Sequence, residues 1–322
     1  MFWLILASIV LAACSVGAEP MNEAENQSAQ PASSKIRVMT WNLEWLSERT
    51  LPERIRRIQK VIADAKPDAI MFQEIESQAA LQRVLPSGWK IWMADSAREN
   101  QELAFAAAPG IQFSEASLVF TSPDLDNAFP GRRDVIRAKV TKGGRDIVLY
   151  GLHLKSRAPA RWTTNSRRTE AAELLVKEIQ RRRESDYVIL GDFNDTPGDE
   201  GPQILAKSGM VNLTEPLYKE DWTTADLEKV EWWKYRDARI PGAYAENEKW
   251  RTREHNFRTD VKIKAILFDQ IVVSRSLAAS AGVPVIGNPK DVMDGSYPRI
   301  TDARVEVEGT RASDHLPVWV DL

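Results

Sequence analysis

The chain has 322 residues, with 43 Lys and Arg against 46 Asp and Glu and a formal net charge of −3. That length can bury a substantial core, as one large α/β domain or two smaller ones, and the charge supplies no global positive field to recruit nucleic acid, which leaves only a local basic groove for that purpose. The single cysteine, Cys14, excludes an intramolecular disulfide framework and any cysteine-built metal site.

Residues Phe2 to Ala13 are almost wholly apolar and lead into Leu11-Ala12-Ala13-Cys14. The run is shorter than the roughly 20 residues of a spanning helix and suits the apolar region of a secretory signal. Leu-Ala-Ala-Cys resembles the bacterial lipobox, which implies a signal over residues 1–13 and a lipid-modified mature N-terminus at Cys14. No Lys or Arg precedes the run, a departure from the usual pattern, and a plain secretory signal cut near Ala18, or a short anchor, is the alternative. Ser15 after the cysteine, by the same resemblance, favours the outer membrane, on the periplasmic or surface side. Residues 14–34, rich in Ala, Ser, Gln, Asn, Glu and Pro without apolar periodicity, read as a flexible tether.

From Lys35 the pattern changes to that of a folded body, 35–322. Ile36 to Trp41 alternates as a strand, and Ile55, Ile58, Val61 and Ile62 recur at helical spacing within Leu51 to Ala65. Pro67-Asp68 stops that helix, and Ala69 to Phe72 is a short buried strand. Further strands are predicted at Gly88 to Met93, Leu103 to Ala107, Ala116 to Phe120, Asp134 to Val140 and Asp146 to Leu154. A helix from about Ser166 to Arg182 leads to the apolar run Tyr187 to Leu190, and strands at Ala265 to Val273 and Leu316 to Val320 close the chain. Lys142-Gly143-Gly144 joins two neighbouring strands as a hairpin. The expected fold is therefore α/β (α+β): a four-layered sandwich of two mainly antiparallel sheets flanked by helices.

Short polar groups stand where apolar runs end: Trp41-Asn42-Leu43-Glu44, Gln73-Glu74, Gly191-Asp192-Phe193-Asn194-Asp195 and Ser313-Asp314-His315. Taken singly, each has an ordinary reading as a turn, a cap or surface polarity. Together with Gly151-Leu152-His153-Leu154-Lys155-Ser156 and Phe268-Asp269-Gln270-Ile271, their order and spacing resemble the endonuclease/exonuclease/phosphatase superfamily, of deoxyribonuclease I-like fold. The resemblance covers about Ile36 to Leu322.

On residue chemistry alone, Asn42, Glu74 and Asp314 offer oxygen ligands, which suit a hard cation such as Mg²⁺ or Mn²⁺. Asp192 can orient or deprotonate an attacking water. Asn194 can donate to a phosphate oxygen or to that water. His315 can contact phosphate or move a proton, with a carboxylate such as Asp269 fixing its tautomer. The resemblance implies the same roles, with Glu74 as principal metal ligand beside Asn42 and Asp314, Asp192 and Asn194 as the water-activating and phosphate-contacting pair, Asp269 and His315 as a carboxylate–histidine pair, and His153 as the second histidine. Either Gln101 or Glu102 stands where a partner of His153 is expected.

Lys155, Arg157, Arg161, Arg167 and Arg168 form a basic stretch that either grips substrate phosphate, with Arg168 and Lys155 best placed, or is a solvated loop and helix start. The segment 212–264 holds Trp222, Trp232, Trp233 and Trp250 among many charges, and either stacks on bases or packs as a surface excursion. His255 reads as structural. The expected activity is hydrolysis of phosphodiesters by activated water, with nucleic acid as the leading substrate. A phosphodiesterase or phosphatase for another phosphate ester is the alternative, and a non-catalytic binding protein on the same scaffold is the third.

Overall fold

The computed structural model describes residues 35–93, 101–129, 135–157, 161–219, 224, 267–296, 299–301 and 304–322. The signal, Cys14 and the tether lie outside the described residues, as do His255 and the Trp-rich segment 212–264 apart from residues 212–219 and 224.

The first six-stranded sheet is formed by β1 (Arg37–Leu46), β2 (Ala69–Ile75), β3 (Lys90–Met93), β4 (Glu102–Ala107), β11 (Val285–Ile286) and β14 (Val318–Asp321), in the order β11-β14-β1-β2-β4-β3. The second holds β5 (Gln112–Val119), β6 (Val135–Lys142), β7 (Arg145–His153), β8 (Tyr187–Asp192), β9 (Val211–Asn212) and β10 (Asp269–Val273), in the order β5-β6-β7-β8-β10-β9. A small ribbon pairs β12 (Arg299–Thr301) with β13 (Arg304–Val307). The main helices are α1 (Pro52–Ala65) and α3 (Arg161–Arg182), with α2 (Gln78–Gln82), α4 (Glu200–Lys207) and α5 (Glu215–Lys219) as shorter ones.

Period-two alternation explains the layers. Val38, Met71 and Phe105 of the first sheet meet Ile136, Leu149, Val188 and Ile271 of the second in one central core. Their chain neighbours Met39, Ile70 and Phe72 point the other way, onto Ile55, Ile58 and Ile62 of α1. Tyr150, Leu152 and Ile189 likewise cover Ala171, Leu175 and Ile179 of α3. The central strands β1, β2, β4, β7, β8 and β10 therefore bury both faces, which is why their runs read as nearly continuous apolar stretches.

The expectation of mainly antiparallel sheets needs one refinement. Each sheet carries one parallel pair at its centre, β1 with β2 and β7 with β8, and the other main-sheet pairings are antiparallel. Both parallel pairs are joined by a helical crossover, α1 or α3, as parallel neighbours require. The Gly143-Gly144 hairpin is present, with both glycines at positive φ (58° and 80°), the conformation of a two-residue type I′ turn.

Boundaries differ locally. The helix expected from Ser166 begins at Arg161, and the strand expected from Ala116 begins at Gln112 and ends before Phe120, whose φ is 71°. The last strand starts at Val318 rather than Leu316, because Pro317 has no amide to give and the Leu316 amide donates to the Thr224 carbonyl. The described part of the strand expected over Ala265 to Val273 is Asp269–Val273.

Candidate active site

The carboxyl ends of β1, β2, β7 and β8 carry Asn42, Glu74, His153 and Asp192. Pairing registers bring several of them together. His153 lies opposite Asp192 across β7–β8, and Asp269 lies opposite Asp192 across β8–β10.

Asp192 Oδ2 is the point of convergence. Asn42 Nδ2 donates to it at 3.2 Å, His153 Nε2 lies 3.5 Å away and His315 Nε2 3.9 Å away. Its other oxygen accepts the Asn194 amide at 2.8 Å. The residue is buried, and burial chiefly pushes its pKa up to about 7, with Asp269 and Glu74 adding to the rise while His315 and the Asn194 amide oppose it.

His315 is fixed from several sides. Its Nδ1 lies 2.8 Å from Asp269 Oδ2, its own amide donates to Ser313 Oγ at 3.1 Å, and its carbonyl accepts from Trp41 Nε1 at 2.9 Å. Burial by itself lowers the imidazole pKa. The Asp269 and Asp192 carboxylates outweigh it and hold the value well above the ordinary one, which favours the cationic form of the ring. Ser313 Oγ also donates to the Asn42 carbonyl at 2.6 Å, which ties the Ser313-Asp314-His315 loop to the end of β1.

Asn42, expected as a metal ligand, is engaged at both ends of its side-chain amide. Its side-chain oxygen accepts the Glu44 amide at 2.9 Å, and its Nδ2 donates to Glu74 Oε1 at 3.1 Å as well as to Asp192. In this orientation Asn42 clamps two carboxylates and does not present oxygen to a cation. Glu74 is held at a positive φ of 60°, the left-handed region that a non-glycine residue seldom adopts. Asp314 is buried, 3.9 Å from the Arg311 guanidinium. Among the described residues no group of three or more His, Cys, Asp and Glu side chains could hold a metal ion. The donors at hand, the carboxylates of Glu74 and Asp314, match a hard cation that keeps most of its ligands as water and substrate phosphate. Glu102 opens β4 opposite Ile75, with Gln101 just before it on the same end of the first sheet.

Two arginines of the basic stretch, Arg157 and Arg168, turn inward. Arg168, expected to grip phosphate, is fully buried. Its Nε binds Asp195 at 2.6 Å, and its Nη1 donates to the Lys155 carbonyl at 3.0 Å and to Thr164 Oγ1 at 2.8 Å. Arg157 is buried too, bound to Asp199 and donating to the Asn194 carbonyl at 2.9 Å. Asn194, at φ 50°, gives its side-chain amide to the Leu154 carbonyl at 3.0 Å. These contacts fasten the loop after β7 to the loop after β8, so Arg157 and Arg168 support the site from beneath. Lys155 remains half-buried, donating to Ser156 Oγ at 3.1 Å.

With this geometry, the sequence matches the Endonuclease/Exonuclease/phosphatase family over residues 39–315. The chain belongs to that family, whose members hydrolyse phosphate esters. The span begins inside β1 and ends on His315, so it takes in every site residue described above. A tyrosyl-DNA phosphodiesterase 2 from Danio rerio is 23% identical over 206 residues, which cover 62% of this chain and 53% of that protein. The chain thus spans about half the length of the curated relative it matches. Among solved structures, D. rerio tyrosyl-DNA phosphodiesterase 2 complexed with single-strand DNA product is 16% identical, with a TM-score of 0.55 over 89% of this chain and 98% of that one. A 3′ phosphatase from Neisseria bound to a product DNA hairpin is 18% identical, with a TM-score of 0.52 over 88% and 98%. These likenesses establish the two-sheet fold.

In this member of the Endonuclease/Exonuclease/phosphatase family, several supporting residues went unnoticed in the sequence. Thr224 Oγ1 accepts the amides of Phe268 and Asp269 at 3.0 and 3.1 Å, fixing the start of β10. Arg311 forms a buried pair with Glu44. A lone Thr or Arg carries no sequence signal for such contacts. Ser313 could have been found, since it adjoins the Asp-His pair.

Proposed function

We propose that the chain is a metal-dependent phosphodiesterase acting on nucleic acid, that is, a nuclease. The observation that carries the reading is the convergence of Asn42, His153 and His315 on one oxygen of Asp192. A carboxyl pushed to about 7 is a base poised for neutral pH, and it faces two imidazoles able to meet anionic oxygen. His315, kept cationic by Asp269, neutralises charge on the phosphoryl group or protonates the leaving oxygen. Asp192 orients and deprotonates the attacking water, and Asn194 steadies Asp192 through its amide. Glu74 and Asp314 would hold Mg²⁺ or Mn²⁺, which supplies Lewis-acid stabilisation of the developing charge. Nucleic acid is favoured because relatives of the same fold carry DNA products in their solved structures.

The test is a panel of single-stranded DNA, duplex DNA, RNA, bis-p-nitrophenyl phosphate and a lipid phosphodiester, with Mg²⁺ or Mn²⁺ and with chelator. Cation-dependent cleavage of a nucleic acid is the expected result. Turnover confined to the other esters would establish the alternative substrate class, and absence of turnover on all of them would leave a binding protein.

We also infer that Leu11-Ala12-Ala13-Cys14 directs lipidation at Cys14, tethering the enzyme to the outer membrane on its periplasmic or surface side. Mass spectrometry of the mature N-terminus tests this, and an unmodified terminus beyond Cys14 would overturn it.

A further inference from the structure

Two fully buried arginines, Arg54 and Arg311, stand behind the site. A buried guanidinium is costly unless its partners are well placed, so the partners indicate what it does. Arg311 grips Glu44 with two parallel bonds, Nε to Oε2 at 2.8 Å and Nη2 to Oε1 at 2.5 Å, and both side chains are 1% exposed. Arg54 donates through Nη2 to the carbonyls of Leu43 (2.5 Å) and Glu44 (2.7 Å), and through Nε to the carbonyl of Ala312 (3.2 Å). The carboxyl-terminal part of β1 and the loop bearing Asp314 and His315 are thereby joined twice.

What the joint fixes is specific. Glu44 sits at φ 43° and Trp45 at φ 60°, in the left-handed region that a non-glycine residue keeps only where its surroundings impose it. In that conformation the Glu44 amide reaches Asn42 Oδ1. With the oxygen so engaged, the Asn42 NH₂ faces Glu74 and Asp192 and donates to both. The opposite amide orientation would turn an oxygen toward two carboxylates.

We propose that Arg311 and Glu44 act as a positioning pair that sets the orientation of the Asn42 amide and, through it, the spacing between Glu74 and Asp192. Both side chains are sealed from solvent, so the pair would act through Asn42 and not by direct contact with substrate. The kinetic part of the inference rests on the phosphoesterase reading. The structural part does not.

The test compares Glu44→Gln, Arg311→Met and the double variant Glu44→Met/Arg311→Met. Each single change breaks the two-pronged grip inside a buried site and lowers the melting temperature. The double change removes both charges and brings the melting temperature back toward wild type. A pair serving stability alone would recover turnover at the same time. A positioning pair leaves kcat of the double variant down by roughly 10²-fold with KM changed far less, as displacement of a catalytic group does. Arg311→Lys keeps the charge but loses the two-pronged grip, and it gives the same kcat loss should the double variant fail to fold. A readout independent of activity is the Asn42 side-chain NH₂ pair in ¹⁵N–¹H spectra, identified by its loss in Asn42→Asp. It moves from its wild-type position in the double variant and in Arg311→Lys, whether or not the wild type hydrolyses any ester. Wild-type kcat in a folded double variant, or an Asn42 signal unmoved in Arg311→Lys, would overturn the proposal.

Discussion

Asp269 Oδ2 lies 2.8 Å from His315 Nδ1 and thereby aims the other ring nitrogen at Asp192. The two titrating groups that result act in opposite senses. Asp192, pushed up to about 7 mainly by burial, must lose a proton to serve as base, whereas His315 must keep its own. Their pKa values set a bell-shaped profile for kcat/KM, rising as pH passes about 7 and falling where His315 deprotonates, well above the ordinary imidazole value. Asp269→Asn removes the carboxylate that most strongly raises the His315 pKa, so the alkaline limb should move to lower pH. Rate profiles of the two proteins measure this, and coincident alkaline limbs would refute the pairing.

Asp192→Asn keeps the shape of the side chain and removes the base. General-base assistance contributes about 10²–10⁴-fold, so kcat should drop by that range. Any loss of stability should be small, since taking a carboxylate out of a buried site beside Asp269 and Glu74 offsets the acceptor lost to Asn42 or to the Asn194 amide. Steady-state kinetics and thermal melting, run together, check both halves. A folded variant turning over at near wild-type rate would eliminate Asp192 as the base.

Glu74 and Asp314 are carboxylates set among buried groups, and a hard cation is the chemistry that fits them. Excess chelator should abolish turnover, and Mg²⁺ or Mn²⁺ should restore it. Glu74→Gln should weaken Mn²⁺ binding by at least about tenfold in a direct titration. Full activity in chelator would remove the cation from the mechanism.

Much of the site was legible because strand ends are legible. Asp192, Glu74 and Asp269 stand where apolar runs stop or start, and backbone register then carries them to one place. The inward turn of Arg168 was not legible, because it depends on Asp195 27 residues away, and charge alone favoured a solvent-facing role. The Glu44–Arg311 pair joins positions 267 apart, and no local pattern encodes it. The two parallel pairings were missed for a related reason. The Gly143-Gly144 hairpin is a local signal, whereas the placement of β1 beside β2 follows from how α1 folds back over them. Elements such as β9 and α5 are too short for periodicity to emerge.

Gly191 tests how closely fold and chemistry are joined. It pairs with Leu152 across β7–β8 and with Gln270 across β8–β10. Its φ is 150°, and a Cβ placed on it would lie 2.0 Å from the Leu152 carbonyl oxygen, a backbone atom that cannot swing aside. Relief therefore requires β7 and β8 to separate, and the next residue on each strand is His153 or Asp192. Gly191→Ala should cost about 3 kcal/mol or more in denaturant unfolding, the upper range for overpacking a filled interior. Turnover of the fraction that remains folded should fall as well, since the imidazole and the carboxylate no longer keep their 3.5 Å approach. Gly110→Ala is the control, because its Cβ would meet nothing within 4 Å and only its φ of 89° opposes the change. It should lose about 1 kcal/mol and leave kcat unaltered. Equal losses in the two variants would mean that backbone conformation, and not the contact with Leu152, is what Gly191 supplies.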